Sequence, residues 1–188
     1  MKLYHVSTQN KNKKIIDMKK SIKDDMRFVG FLLDRIKGFD DFNQAYNSEF
    51  MQISSKKRGW IAQKIVAEAI FEFIRQKDYP SSPSRLMYSY FTDSVEKAKY
   101  FNKKERENEG DYFVFEADEE KVYYYDMDVF NAAVKVLEKQ GLTEQSFEKV
   151  KEFARTYWLT SEEGNTEILY KGSPVLENIT EFVKSSSI

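Results

Sequence analysis

Short runs of aromatic and β-branched residues stand near the start, the middle and the end of this chain, and blocks of helical periodicity lie between them. Strands so far apart in sequence, without a helix after each one, do not build the doubly wound parallel sheet of repeated βαβ units. They build an α+β domain whose sheet is largely antiparallel. The expected strands are Leu3 to Ser7, Leu86 to Phe91, Tyr112 to Ala117, Val122 to Tyr125, Glu167 to Tyr170 and Val175 to Val183. Their side chains suit a pleated, half-buried surface. An acidic turn separates Tyr112 to Ala117 from Val122 to Tyr125, and the two read as a hairpin.

Between the strands, apolar residues return at helical spacing. From Ile15 to about Gly38 they include Ile22, Met26, Val29 and Leu33, with Gly30 as a weak point, which predicts a helix or a broken pair. Phe42, Tyr46 and Phe50 predict a shorter helix. The clearest one runs from about Arg58 to Gln76, with Ile61, Ile65, Ala69 and Phe73 along one face, and Asp78-Tyr79-Pro80 stops it. Asp93 and Glu96 make a capping box for a helix beginning at Ser94 that turns Ala98 and Phe101 inward, and Lys103 to Gly110 reads as a charged loop. Asp128 can cap a helix ending at Gly141, and Thr143 another that aligns Phe147, Val150, Ala154 and Tyr157. No repeat or linker divides the chain, so residues 1–188 read as a single domain with a helical block after its first strand.

Composition removes several chemistries. The absence of cysteine excludes disulfides, thiolate metal sites and a cysteine nucleophile. The one histidine, His5, cannot make a histidine metal cluster, so no metal is expected. No apolar stretch approaches the roughly 20 residues of a membrane span, and the N-terminus lacks an apolar signal region; a soluble, cytoplasmic protein is expected. Thirty basic and 31 acidic residues create no general attraction to nucleic acid. The clusters Lys11, Lys13, Lys14 and Lys56, Lys57, Arg58 read as solvated charge. The 12 Tyr and 15 Phe are the unusual part, and such rings serve both as core and as stacking faces for planar ligands.

Three segments stand out together. Tyr4-His5-Val6-Ser7 opens the chain, Ser89-Tyr90-Phe91-Thr92-Asp93 precedes a helix carrying Tyr100, and Asn165-Thr166-Glu167-Ile168-Leu169 begins a late strand. In this order and these contexts they resemble the motifs of the His-Tyr-Glu branch of ADP-ribosyltransferases, similar to diphtheria toxin and poly-ADP-ribose polymerases. Phe71-Glu72 to Arg75 and Pro83-Ser84-Arg85 also resemble an uncharacterised bacterial family thought to share that fold.

The resemblance implies a split, mostly antiparallel sheet and NAD as substrate, with ADP-ribose transferred to an unidentified macromolecular acceptor or to water. It implies a catalytic set of His5, Tyr90 and Glu167, with cofactor contacts from His5, Ser7, Tyr90, Tyr100 and Arg85. Cleavage of the nicotinamide–ribose bond passes through an oxocarbenium-like state that a carboxylate stabilises, the part given to Glu167. Aromatic faces suit the flat, cationic nicotinamide, the part given to Tyr90 and Tyr100. An imidazole can bond a ribose hydroxyl, with Ser7 beside it. Arg85 can fork onto a phosphate or form a structural salt bridge.

Three departures bear on activity. Val6 replaces the glycine that follows the family's histidine, and the spacing from Tyr90 to Tyr100 is about one residue short. Asn165 stands where arginine-modifying toxins carry glutamate or glutamine, which argues against protein arginine as acceptor. A nucleic-acid acceptor is compatible with the fold but not indicated by charge. The alternative reading is a module that keeps the fold and binds NAD or a partner without turnover. The loop Thr160 to Asn165, polar and just before Glu167, is expected to meet the acceptor.

Overall fold

The computed structural model describes residues 1–18, 27–34, 36–50, 60–159 and 166–186. The chain is α+β, and it packs as two compact units. One unit comprises Met1–Ser21, Tyr88–Tyr124 and Thr166–Ile188; the other comprises Ile22–Met87 and Tyr125–Asn165.

The first unit holds the sheets. Strand β1 (Lys2–Ser7) pairs antiparallel with β4 (Asp111–Glu116), β4 with β7 (Val175–Asn178), and β7 with the short β2 (Ile15–Asp17). A second sheet has the order β3 (Tyr90–Phe91), β6 (Thr166–Tyr170), β5 (Val122–Asp126), the division between units falling after Tyr124. One bridge, Tyr4 to Thr92, joins the two sheets, with both backbone hydrogen bonds made at 2.8 and 2.9 Å.

Strand alternation then sorts the side chains. Leu3, Phe91, Phe113, Phe115, Ile168, Tyr170, Ile16 and Leu176 form the core on one side. On the other, Val6 and Tyr112 meet Ala98 of α4 (Val95–Arg106) and Val183 of α7 (Thr180–Ser185).

Several local expectations change in this unit. Residues 15–17 are strand β2 and not the start of a helix, because they complete the sheet beside β7. Only Tyr90 and Phe91 of the expected Leu86 to Phe91 strand find a strand partner. The expected hairpin does not form: β1 and β7 occupy both edges of β4, and a 3₁₀ turn at Glu119–Lys121, capped by Asp118, leads β5 into the other sheet. Helix α4 is capped by Ser94, which accepts from Lys97 N at 3.2 Å, while Asp93 pairs with the Lys97 ammonium. It continues to Arg106, through much of the expected charged loop. Asn102, buried on that helix, then bonds both the N–H and the C=O of Gly110 at 2.9 Å and so fixes the turn before β4. The expected Val175 to Val183 strand stops at Asn178, whose side chain accepts from Thr180 N and starts α7.

The second unit is helical: α1 (Arg27–Leu33), α2 (Phe39–Phe50), α3 (Trp60–Asp78), α5 (Met127–Gln140) and α6 (Glu144–Leu159). The expectation for α6 holds closely, since Phe147, Val150, Ala154 and Tyr157 are all buried and Ser146 N donates to Thr143 Oγ1. Helix α5 stops where Gly141 takes φ +65°, a backbone state that L side chains rarely adopt. Its core is aromatic, with Phe71 edge-on to Phe130 at 5.0 Å and Tyr125 stacked on Tyr157 at 4.9 Å.

Candidate functional site

Five of the six residues singled out in the sequence lie in the sheet unit: His5, Ser7, Tyr90, Tyr100 and Glu167. Their placement follows from register. Tyr90 pairs with Leu169 and Phe91 with Ile168. Paired residues share a face and alternate residues share a face, so Tyr90, Leu169 and Glu167 lie on one side of the β3–β6 pair. Phe91, Ile168 and Tyr170 take the other side, in the core. Continuing the register one step sets Thr92 opposite Glu167, and the Tyr4–Thr92 bridge adds Tyr4 to the same face. Glu167 is 8% exposed, an unusual depth for a carboxylate, while Tyr90 is half-buried.

His5 reaches Tyr90 by a different route. By the Tyr4–Thr92 register it sits across from Phe91, and its ring lies 5.7 Å from that of Phe91. His5 Nδ1 is 3.0 Å from the backbone oxygen of Tyr90. A carbonyl can only accept, so Nδ1 carries the hydrogen in this contact. The imidazole therefore braces the strand that carries Tyr90, and alternation places it on the side opposite the Tyr90 ring and Glu167. Ser7, also buried, accepts from Asn10 Nδ2 at 3.1 Å and is in register with Asp111.

Tyr100 is not gathered into this arrangement. It projects from α4 at 66% exposure, two residues from the buried Ala98, with the Lys104 ammonium 5.8 Å from its ring centre. Val6, in the glycine position of the resemblance, is buried against Ala98, Tyr112 and Val183.

Arg85 belongs to the helical unit. Its Nε and one terminal nitrogen fork onto Glu68 at 2.9 and 3.1 Å, and the other terminal nitrogen donates to Tyr157 Oη at 2.6 Å. Arg85 and Glu68 are each 1% exposed, and the guanidinium stacks 4.1 Å from the Phe130 ring centre. Of the two roles open to Arg85 in the sequence, this geometry is the structural ion pair. A second clamp lies beside it, where Glu72 accepts from Arg75, Gln76 and Ser84. The Phe71 to Arg85 motif, together with Glu68 just before it, is thus a pair of acids on α3 gripping the segment after the helix.

Sequence reasoning missed that Thr92 and Tyr4 share the face of Glu167. The period-two alternation from Tyr90 to Thr92 was the signal for the first, whereas the Tyr4 bridge is tertiary and leaves no local trace. Thr160 to Asn165, with Asn165 itself, and Lys56, Lys57 and Arg58 lie outside the described residues. Among the described residues no group of three or more side chains could hold a metal ion, and no helix is long and apolar enough to cross a membrane.

Residues 3–181 match the model of a family described as "Protein of unknown function (DUF2441)". No curated protein matches the chain.

Proposed function

Since this chain belongs to the DUF2441 family, whose description assigns no activity, we propose from the chemistry of the site that it transfers ADP-ribose from NAD. The observation that carries the reading is the sharing of one sheet face by Tyr90 and the buried carboxylate of Glu167 on paired strands. In the proposed reaction the ribose C1′–nitrogen bond breaks and its electron pair leaves with neutral nicotinamide. An acceptor hydroxyl, amine or water then bonds to C1′ and releases a proton. Glu167 faces the ribose as positive charge develops, where a preorganised negative group stabilises the transition state more than the ground state. The Tyr90 ring packs against the nicotinamide, while His5, to which the resemblance gives a ribose contact, lies on the other side of the sheet and acts on this site by bracing the Tyr90 carbonyl.

A second reading, a fold that binds NAD without turnover, is favoured by two observations. Tyr100 stands exposed on α4, and the Val6 side chain fills the place of a glycine.

Incubation with NAD labelled in both halves, alone and with cell lysate, separates the readings through released nicotinamide and labelled macromolecules. Glu167→Gln should reduce nicotinamide release by about a hundredfold or more while NAD affinity is nearly kept. Tyr90→Ala should weaken binding as well. An active wild type with an equally active Glu167→Gln removes the carboxylate from the mechanism. Wild type that binds NAD without releasing nicotinamide establishes the second reading, and a folded protein with no thermal shift in millimolar NAD overturns both.

A further inference from the structure

Among the described residues, helices cover only part of the four-stranded sheet. Helices α4 and α7 pack on the β1–β4 half through Ala98 and Val183, on the side of Val6 and Tyr112. Through the register Val114 with Glu177 and Ile15 with Glu177, the same side of β7 and β2 carries Val175, Glu177, Ile15 and Asp17. Ile15 is 61% exposed there, Val175 58%, and Phe182 projects from α7 at 67%. Ile15 and Phe182 line a groove of about 690 Å³, which includes none of His5, Tyr90, Tyr100 or Glu167.

Two further observations mark this end of the sheet. Strand β2 is last in the order, and Lys14 O and Met18 N bond to Asn178 N and Pro174 O. Alternation therefore turns the N–H and C=O groups of Ile15 and Asp17 away from β7, to the sheet's edge. The groove is also lined by Lys14, Lys184, Glu177 and Glu181, none of which forms an ion pair among the described residues. Exposed apolar side chains beside an open strand edge are a surface that proteins ordinarily cover.

We propose that the occupant is a second copy of this chain, related by a two-fold axis. In such a contact the same patch lies on both sides, so it must be complementary to itself. Two lysines and two glutamates around Ile15, Val175 and Phe182 meet that condition, because each copy offers both signs to the other. A strongly acidic or basic partner would leave half of these charges facing their own sign.

Sedimentation velocity and light scattering from about 1 to about 200 µM protein read the association directly. Wild type is expected to dimerise in that range, and Phe182→Glu to raise the dissociation midpoint by about tenfold or more. The charge reversals Lys14→Glu with Lys184→Glu, and separately Glu177→Lys with Glu181→Lys, should each give monomers. An equimolar mixture of the two should restore dimers, since one patch is then acidic and the other basic. Far-UV circular dichroism confirms that each variant is folded. A wild type monomeric at every concentration overturns the proposal. So does a dimer indifferent to Phe182→Glu, or a mixture of the reversed variants that stays monomeric.

Discussion

The helical unit and the sheet unit both bury acids, but in different settings. In the helical unit Glu68 and Glu72 are buried together with their partners: a forked Arg85, a forked Arg75 and the Ser84 hydroxyl. In the sheet unit, two of the buried polar side chains tie down backbone. Asn102 holds Gly110, and Thr180 Oγ1 accepts from Tyr112 N. Among the described residues, Glu167 is the one buried carboxylate there, on a strand and sharing its face with an aromatic ring. Burial of an acid is therefore not itself a sign of function. The same low exposure marks a fully matched ion pair in one unit and a candidate for charge stabilisation in the other.

The largest effect that would break this comparison is expected at Glu68. Glu68→Ala leaves a buried guanidinium without its carboxylate, which costs about 3–5 kcal/mol. Joint replacement by Glu68→Leu and Arg85→Met should recover most of that loss, since well-packed apolar pairs substitute for buried ion pairs at little cost. Urea denaturation of the wild type and the two variants measures both. A loss below about 1 kcal/mol for Glu68→Ala would show that the pair behaves as a surface salt bridge, and the contrast with Glu167 would disappear.

In the sheet unit the sensitive position is one of close approach. A β-carbon at Gly110 would collide with Val6 Cγ1 and come within 2.9 Å of Asn102 Oδ1. Gly110→Ala should therefore destabilise by about 1–3 kcal/mol, as overpacking does. The loss should appear in chemical denaturation and be smaller in the background Val6→Ala, where the colliding methyl is gone. Equal losses in both backgrounds would assign the effect to the Asn102 clamp instead.

Helical periodicity carried most of the legible fold. Phe147, Val150, Ala154 and Tyr157 predict α6, where all four are buried, and Phe42, Tyr46 and Phe50 predict α2, because an apolar spacing repeats within one segment. Strand partners were not legible. Nothing local in Tyr112 to Ala117 says that both its edges are taken by distant strands, and three residues at 15–17 are too short to separate from a helix start. For the site, the late strand and the segment around Tyr90 announce themselves by residue type. The side on which His5 lies depends on one bridge between Tyr4 and Thr92. Arg85 could have been assigned from spacing: Glu68 and Glu72 are one turn apart on the clearest helix, a pair of acids on a buried face that demands cations.

The smallest expected effect is at the surface corner between β4 and β5. Asp118 is exposed, and the hydrogen bond from Lys121 holds its carboxyl below the ordinary 3.8, with the Glu120 N–H contributing. Lys121 is correspondingly pushed above 10.5 by the same hydrogen bond. A lowered acid contributes stability above its unfolded value and loses it as pH falls through the folded one. Asp118→Asn should therefore lower stability slightly around neutral pH, leave it unchanged in strong acid, and so flatten its decline between the two. Thermal unfolding between about pH 3 and 7 would register this. A change comparable to Glu68→Ala would mean that exposed and buried pairs are not separated as the two units suggest.

The position of β4 between β1 and β7 has a consequence in time. One neighbour comes from residues 2–7 and the other from residues 175–178, so the strand in the middle of the sheet waits for the chain's late residues before its second edge is filled. Closure of loops that long is slow and exposes strand edges meanwhile. During synthesis, β1 and β4 can pair as soon as both have emerged. The sheet is completed only when β7 arrives, and until then β4 is a sticky edge that a chaperone or a neighbouring chain could occupy.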